Sequence, residues 1–411
     1  MKLQLTLLTL CLSVLTLHAQ TDTIIRVNVE NEVVKRYLDE VVYAVGDSSR
    51  VTDYEIMPAR NDSPRPAVVP VPVADVSGLK LFVSDDVAYA NALVIEVEEG
   101  ATEVAVYNLV PWQKYYFKLV AGDTILRRGE IHTEGQVRMI NVPSISNVRD
   151  LGGWLVAGGR CIKYGRIYRG RELNGSHIAD SVDLAVLTDQ LDIGAELDMR
   201  AAYNQGNNVS AFGFLNAKEV GQDEVASYYY TSDSGQLVEH LTNYLYIYRW
   251  RREFNFIVDN LRAGRNIYIH CVWGANRTGY LALMMEGLLG VGYDGLVKDY
   301  ELTTFCGQRL EKKEKIDGAL EFFQNQEGNT LQEKFRNYFL KKLNVSKSNI
   351  DFFLSEMLTD TDSPIVTQVN SPSTQRMEKA CFDLQGRKLP SGTKGLTIEI
   401  GSDGKARKVI R

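Results

Sequence analysis

The chain has 411 residues, 45% hydrophobic and 24% charged, which is ordinary globular composition and more length than one hydrophobic core usually organises. Lys and Arg number 46 against 52 Asp and Glu, a formal net charge of −6, so no general attraction to phosphate backbones favours a nucleic-acid partner. Wholesale disorder, collagen and fibrous repeats are excluded by the same composition.

Residues 1–20 read as a secretory signal. Met1-Lys2 give a short basic start, Leu3 to Leu17 are mostly apolar, and Leu17-His18-Ala19 can end as a cleavage site before Gln20. The apolar run is shorter than the roughly 18 to 20 residues a spanning helix needs, and no later stretch qualifies. The expectation is an exported protein, periplasmic, cell-surface or secreted, with no transmembrane helix. Bulky Leu10 ahead of Cys11 disfavours a lipid anchor there.

Residues 21–136 read as a β-sandwich. Short strand-like runs at Ala92 to Val97, Glu103 to Tyr107, Tyr115 to Val120 and Thr124 to Ile131 are broken by Glu99-Gly100, Pro111 and Gly122-Asp123. The Pro-rich stretch Pro64 to Pro72 leads in as an extended edge. Leu109-x-Pro111-x-x-x-Tyr115 resembles the strand-loop corner of fibronectin type III domains. No catalytic cluster falls in this region.

From 137 to 361 strands and helices alternate, the pattern of an α/β domain with a central sheet flanked by helices. Ala195 to Met199 and Asn266 to Ile269 read as buried strands, and Gly279 to Leu289 and Leu310 to Phe323 as helices. Residues 362–411 form a linker and a β-hairpin-like tail, with strand-like runs at Leu396 to Ile400 and Ala406 to Ile410. Beyond Cys11, the cysteines Cys161, Cys271, Cys306 and Cys381 are far apart and lack metal-ligand spacing, so neither a zinc site nor a disulfide scaffold is implied.

One cysteine differs by its neighbours: His270-Cys271-Val272-Trp273-Gly274-Ala275-Asn276-Arg277-Thr278-Gly279. A strand delivers Cys271 to a tight loop, Gly274 lets the backbone fold back, and Thr278-Gly279 open a helix. Backbone N–H groups from Val272 through Gly274, Ala275 and Asn276 to Arg277 can then face one tetrahedral oxyanion, with Arg277 forking onto two of its oxygens. The same field lowers the thiol, making Cys271 a nucleophile near neutral pH. His270 reads as a buried imidazole bonded to the loop backbone. Trp273 and Tyr228 to Tyr230 are equally suited to the pocket entrance and to the core.

This loop is the Cys-x5-Arg signature and resembles the protein tyrosine phosphatase superfamily. Asn147-Val148-Arg149-Asp150-Leu151-Gly152-Gly153, Gly165-Arg166-Ile167-Tyr168-Arg169, Leu197-Asp198-Met199-Arg200 and Gly292-Tyr293-Asp294 through Asp299-Tyr300 resemble landmarks of its bacterial branch. Read by themselves, Arg149 and Asp150 suggest a buried pair, Asp198 and Arg200 a strand-end ion pair. The resemblance implies Cys271 as nucleophile, Arg277 as phosphate clamp and Thr278 as the hydroxyl that stabilises the departing thiolate. It implies no metal or cofactor.

Many relatives carry Lys-Asp before the loop arginine where this chain has Ala275-Asn276, so the general acid must lie elsewhere. In the superfamily it is an Asp on an upstream loop, here Asp233, after the strand-like run Glu224 to Tyr230, with Asp223 as the alternative. The implied substrate is phosphotyrosine on proteins or another small phosphate ester, the alternative a phosphoinositide or inositol phosphate. A phosphate-binding or adhesion protein with little turnover is the reading from a different class. The tail, Phe382-Asp383-Leu384-Gln385-Gly386-Arg387-Lys388 onward, resembles sorting or adhesion modules of secreted Gram-negative proteins, which would allow surface association.

Overall fold

The computed structural model describes residues 23–54, 59–72, 77–200, 210–214, 227–229, 237–360, 381–382, 388–389, 396–400 and 406–410. The expected signal at 1–20 lies outside these residues. Two compact units result. The smaller gathers residues 23–26, 67–105 and 114–132; the larger gathers 27–66, 106–113 and residues from 133 onward.

The N-terminal strands are β1 (Thr23–Asn28), β2 (Ala67–Pro70), β3 (Leu79–Ser84), β4 (Leu93–Glu96), β5 (Glu103–Val106), β6 (Lys114–Ala121) and β7 (Thr124–Glu134). They form a five-stranded sheet of order β1-β7-β6-β3-β4 and a two-stranded ladder, β2 with β5. In β2 and β5, buried and exposed residues alternate, as a strand covered on one face requires. The sequence reading kept 27–66 with these strands. Instead α1 (Glu32–Glu40) turns Val34 and Tyr37 into the core of the larger unit, and Tyr37 donates to Glu301 at 2.7 Å. The cause is an apolar stripe at helical spacing, which a strand could not bury on one side.

The larger unit is built on β8 (Arg149–Asp150), β11 (Ile167–Gly170), β12 (Ile193–Asp198), β13 (Ser227–Tyr229) and β14 (Asn266–His270). A small antiparallel pair, β9 (Leu155–Val156) and β10 (Arg160–Cys161), lies between the first two in sequence. Sheet order is β13-β12-β14-β11-β8, parallel throughout except for β8. Along β14, Ile267 and Ile269 join the main helical core while Tyr268 joins a second cluster with Val148, Tyr168 and Leu187. That alternation marks a sheet buried on both faces.

Helices follow at α2 (Ser181–Ala185), α3 (Leu237–His240), α4 (Tyr244–Arg262), α5 (Asn276–Leu289), α6 (Tyr293–Leu302), α7 (Asp317–Gln324), α8 (Leu331–Lys341) and α9 (Lys347–Met357). Asn243 caps α4, accepting from the Leu245 N–H at 3.0 Å, and Trp250, Phe254, Ile257, Val258 and Leu261 form its buried face. From Thr278 to Leu289, α5 is buried on all sides. The sequence reading placed a helix from Leu310 to Phe323, but α7 begins only at Asp317, after a single tight turn at Lys313–Lys315. Buried Glu311 accounts for the difference: it accepts from Tyr300, the Thr304 hydroxyl donates to its carbonyl, and the chain is thereby held in a loop.

The chain's last described strands, β15 (Cys381–Phe382), β16 (Lys388–Leu389), β17 (Leu396–Ile400) and β18 (Ala406–Ile410), form an antiparallel sheet of order β16-β15-β17-β18. Among the described residues no helix is long and apolar enough to cross a membrane.

Candidate active site

Parallel sheets open their binding crevices at the carboxyl ends of their strands. Here that end of β14 delivers Cys271, and the chain turns through 272–275 into α5. Gly274 has φ +67°, and a Cβ there would come within 2.3 Å of the Gly170 carbonyl oxygen. Only glycine meets both demands.

Four successive loop carbonyls are each held by a different group. Cys271 O accepts from His270 Nδ1 at 3.2 Å, Val272 O from the Glu172 N–H at 3.3 Å, Trp273 O from Asn147 Nδ2 at 2.9 Å and Gly274 O from Arg169 Nη2 at 3.0 Å. In a trans peptide the carbonyl and the next N–H point opposite ways. Holding these carbonyls outward therefore turns the N–H groups of residues 272–275 inward. At the helix entry, Ala275 supplies no side-chain cap, so the first N–H groups of α5 also keep their positive ends for whatever occupies the cavity.

The holding groups are themselves fixed. Asp299 on α6 accepts from Arg149 Nε at 3.0 Å and from Arg169 Nη1 at 2.5 Å, and Arg149 donates to Asn147 Oδ1 at 2.7 Å. All four side chains are buried. Burial works against the Asp299 carboxylate, but the two guanidinium charges outweigh it and hold it below its ordinary range. Arg149 and Asp150 are thus not a pair. Neighbouring residues of a strand face opposite ways, so Arg149 reaches Asp299 while Asp150 meets Arg138 at 3.2 Å. Asp198 and Arg200 do pair, at 2.7 Å, and Arg200 also reaches Glu172 at 3.1 Å.

Cys271, 3% exposed, sits in a cavity of about 350 Å³ lined by Val272, Trp273, Ala275, Asn276, Arg277 and Arg309. Burial alone would push the thiol up. The Arg277 charge, the Thr278 hydroxyl and the N–H groups of Thr278 and Trp273 overcome it and hold the thiol below its ordinary value. The Thr278 hydroxyl is buried and makes no other hydrogen bond among the described residues. Arg277 is oriented by a bond from Nη1 to Met199 O at 2.9 Å, just past the end of β12.

His270 is fully buried beneath the loop, with Nε2 3.0 Å from Glu196 Oε1 and Asp198 4.0 Å from Nδ1. Burial opposes its charge, but these two carboxylates hold it above its ordinary value. Trp273 lines the cavity, which decides between the two placements left open by its sequence. The Arg171 guanidinium lies over its ring at 3.9 Å and Arg309 at 5.8 Å. Asn276 donates to the hydroxyls of Tyr300 at 3.3 Å and Tyr280 at 3.4 Å, and accepts from Arg309 at 3.4 Å. Asp233 and Asp223 lie outside the described residues, as do Tyr230 and the side chains of Tyr228 and Tyr229.

Three groups near the cavity escaped the sequence reading. Arg309 lay next to a segment taken for helix. Arg171 follows a quoted motif but carries no local signal of stacking on Trp273. Glu253 on α4 is buried, and burial pushes it up to about 8 against the charges of Arg249 and Arg277.

The arrangement can bind a tetrahedral oxyanion and present a thiolate to its centre. The profile of the tyrosine phosphatase family matches residues 140–365. A Cupriavidus necator protein, named provisionally as a tyrosine-protein phosphatase, is 29% identical over 167 residues, 38% of this chain and 60% of its own length. Because the family match runs through Asn147, Arg169, Asp299 and the Cys271 loop that they hold, and takes in more than half of the sequence, this chain belongs to the tyrosine phosphatase family.

Proposed function

We propose that the chain is an exported phosphatase that hydrolyses phosphate monoesters through a phosphocysteine. The observation that carries this reading is the depressed Cys271 thiol in a cavity shared with Arg277. Cys271 Sγ attacks phosphorus, the ester P–O bond breaks, and Asp233 gives its proton to the departing oxygen. The Asp233 carboxylate then takes a proton from the water that attacks the P–S bond, releasing phosphate and a thiolate stabilised by Thr278. Loop N–H groups and Arg277 carry the charge in both steps. In this reading residues 1–20 direct export, the N-terminal strands form a fibronectin type III-like sandwich, 137–361 is the catalytic domain and the tail serves attachment.

Family membership favours phosphotyrosine as the ester. A phosphoinositide or inositol phosphate is the second reading, supported by Arg309 at the cavity wall. Phosphate release from phosphotyrosine peptides, phosphoserine peptides, phosphoinositides and inositol phosphates is expected to favour phosphotyrosine over phosphoserine peptides, with a burst on p-nitrophenyl phosphate. Binding without release on every ester would make the chain a phosphate-binding protein instead.

Asp233→Asn is expected to slow poor leaving groups, such as tyrosine esters, by roughly 100-fold. Activated aryl phosphates should slow much less, because their leaving groups need little protonation. The basic limb of the pH profile should vanish with it. If Asp223→Asn produces that pattern, the acid lies ten positions earlier.

A further inference from the structure

We propose that Arg309 is a specificity residue of this cavity and binds a second phosphate on the atom next to the scissile ester, so that a vicinal bisphosphate is preferred over the corresponding monoester. This rests on Cys271 being the nucleophile, as proposed above.

Arg309 enters the cavity from the loop ahead of α7 and shares it with Cys271 and Arg277. Its present bonds are long for a charged donor: 3.3 and 3.4 Å to Glu311 Oε1 and 3.4 Å to Asn276 Oδ1. Glu311 makes shorter bonds elsewhere, to Lys315 at 2.7 Å and to the Tyr300 hydroxyl at 2.9 Å. Asn276, being uncharged, accepts from Arg309 without neutralising it. The Arg309 side chain is about a third exposed (35%), so its fork can turn to an anion without leaving a buried charge behind.

A second cation stands close by. Arg171 is 1% exposed and lies over the Trp273 ring; its Nη1 donates to Gln308, while its Nε and Nη2 have no hydrogen-bond partner among the described residues. Buried guanidinium N–H groups there add positive potential beside Trp273, a wall residue of the cavity. They also occupy a face of the indole that would otherwise stack on a substrate ring.

The loop N–H groups and Arg277 already serve one phosphate dianion. Arg309 is therefore a surplus cation for a simple monoester, and it lines the same cavity of about 350 Å³ as Cys271 and Arg277. A phosphate on the neighbouring atom reaches it.

The test compares kcat/KM for catechol bisphosphate and phenyl phosphate in the wild-type chain and in Arg309→Ala, Arg309→Lys and Arg309→Glu. The wild type should prefer the bisphosphate by roughly tenfold or more, mainly through KM, as one charge-assisted bond supplies. The ratio should fall to near one in Arg309→Ala, be largely kept in Arg309→Lys and invert in Arg309→Glu. Free inositol 4,5-bisphosphate against the same headgroup on diacylglycerol in vesicles separates a soluble ester from a lipid, and a preference for either over inositol 1-phosphate supports the assignment. Equal ratios in the wild type and all three variants overturn it while leaving the phosphatase reading intact. Loss of all turnover in the wild type would instead overturn that earlier reading.

Discussion

Cys271→Ser is expected to lower kcat by at least about 10⁴-fold while phosphate and tungstate still bind. The two properties separate because they come from different atoms. The covalent step needs a thiolate, and a serine hydroxyl in the same field stays protonated. Oxyanion binding needs the inward N–H groups of 272–275, set by bonds to the carbonyls of 271–274 that the substitution leaves in place. Single-turnover kinetics and isothermal titration with tungstate measure the two. Undiminished turnover in Cys271→Ser would end the phosphocysteine mechanism. In the wild type, kcat/KM should rise with pH through a thiol value on the acid side of the ordinary range, since the net effect of Arg277, Thr278 and the two N–H groups is to favour the thiolate.

Arg277→Lys should lower kcat/KM by about 10²- to 10³-fold, the size typical of losing one donor aimed at developing charge. Lysine keeps the charge but not the planar fork, and it cannot bond the Met199 carbonyl while engaging two phosphate oxygens. The thiol should titrate near its wild-type value, because the charge that depresses it is retained. Activity with Lys within about threefold of wild type, well short of the tenfold that 1.4 kcal/mol represents, would mean that Arg277 is not the clamp.

The cysteine loop was legible because its instructions are local. A buried strand, a cysteine, a glycine and the start of a helix lie within fourteen consecutive residues, and no distant partner is needed to see that N–H groups can converge. Strands β12 and β14 were legible as short apolar runs, whereas β8 and β11 were read only as parts of motifs. What holds the loop was only half legible. Asn147, Arg149 and Arg169 stood out as a pattern, yet their contacts depend on which face of β8 and β11 each residue takes, and Arg149 was matched with its neighbour instead of with Asp299. Arg309 was not legible. Its place is set by Glu311 folding back onto Tyr300 and Thr304, a tertiary bond that overrides a stretch of good helix formers.

The bonds that shape the loop span the chain. Trp273 is held across 126 residues, Gly274 across 105, and the pairs that brace their holders across 130 and 150. Contacts of such sequence separation form late, because the entropy of closing a long loop must be met before they stabilise anything. A newly made chain that has reached Thr278 contains every residue of the loop but neither α6 nor Asp299. In the phosphocysteine mechanism proposed above, its cysteine becomes a competent nucleophile only when synthesis has passed residue 299, because Asp299 braces the residues that shape the loop. In that mechanism reactivity is a late product of folding, dependent on contacts that span the chain.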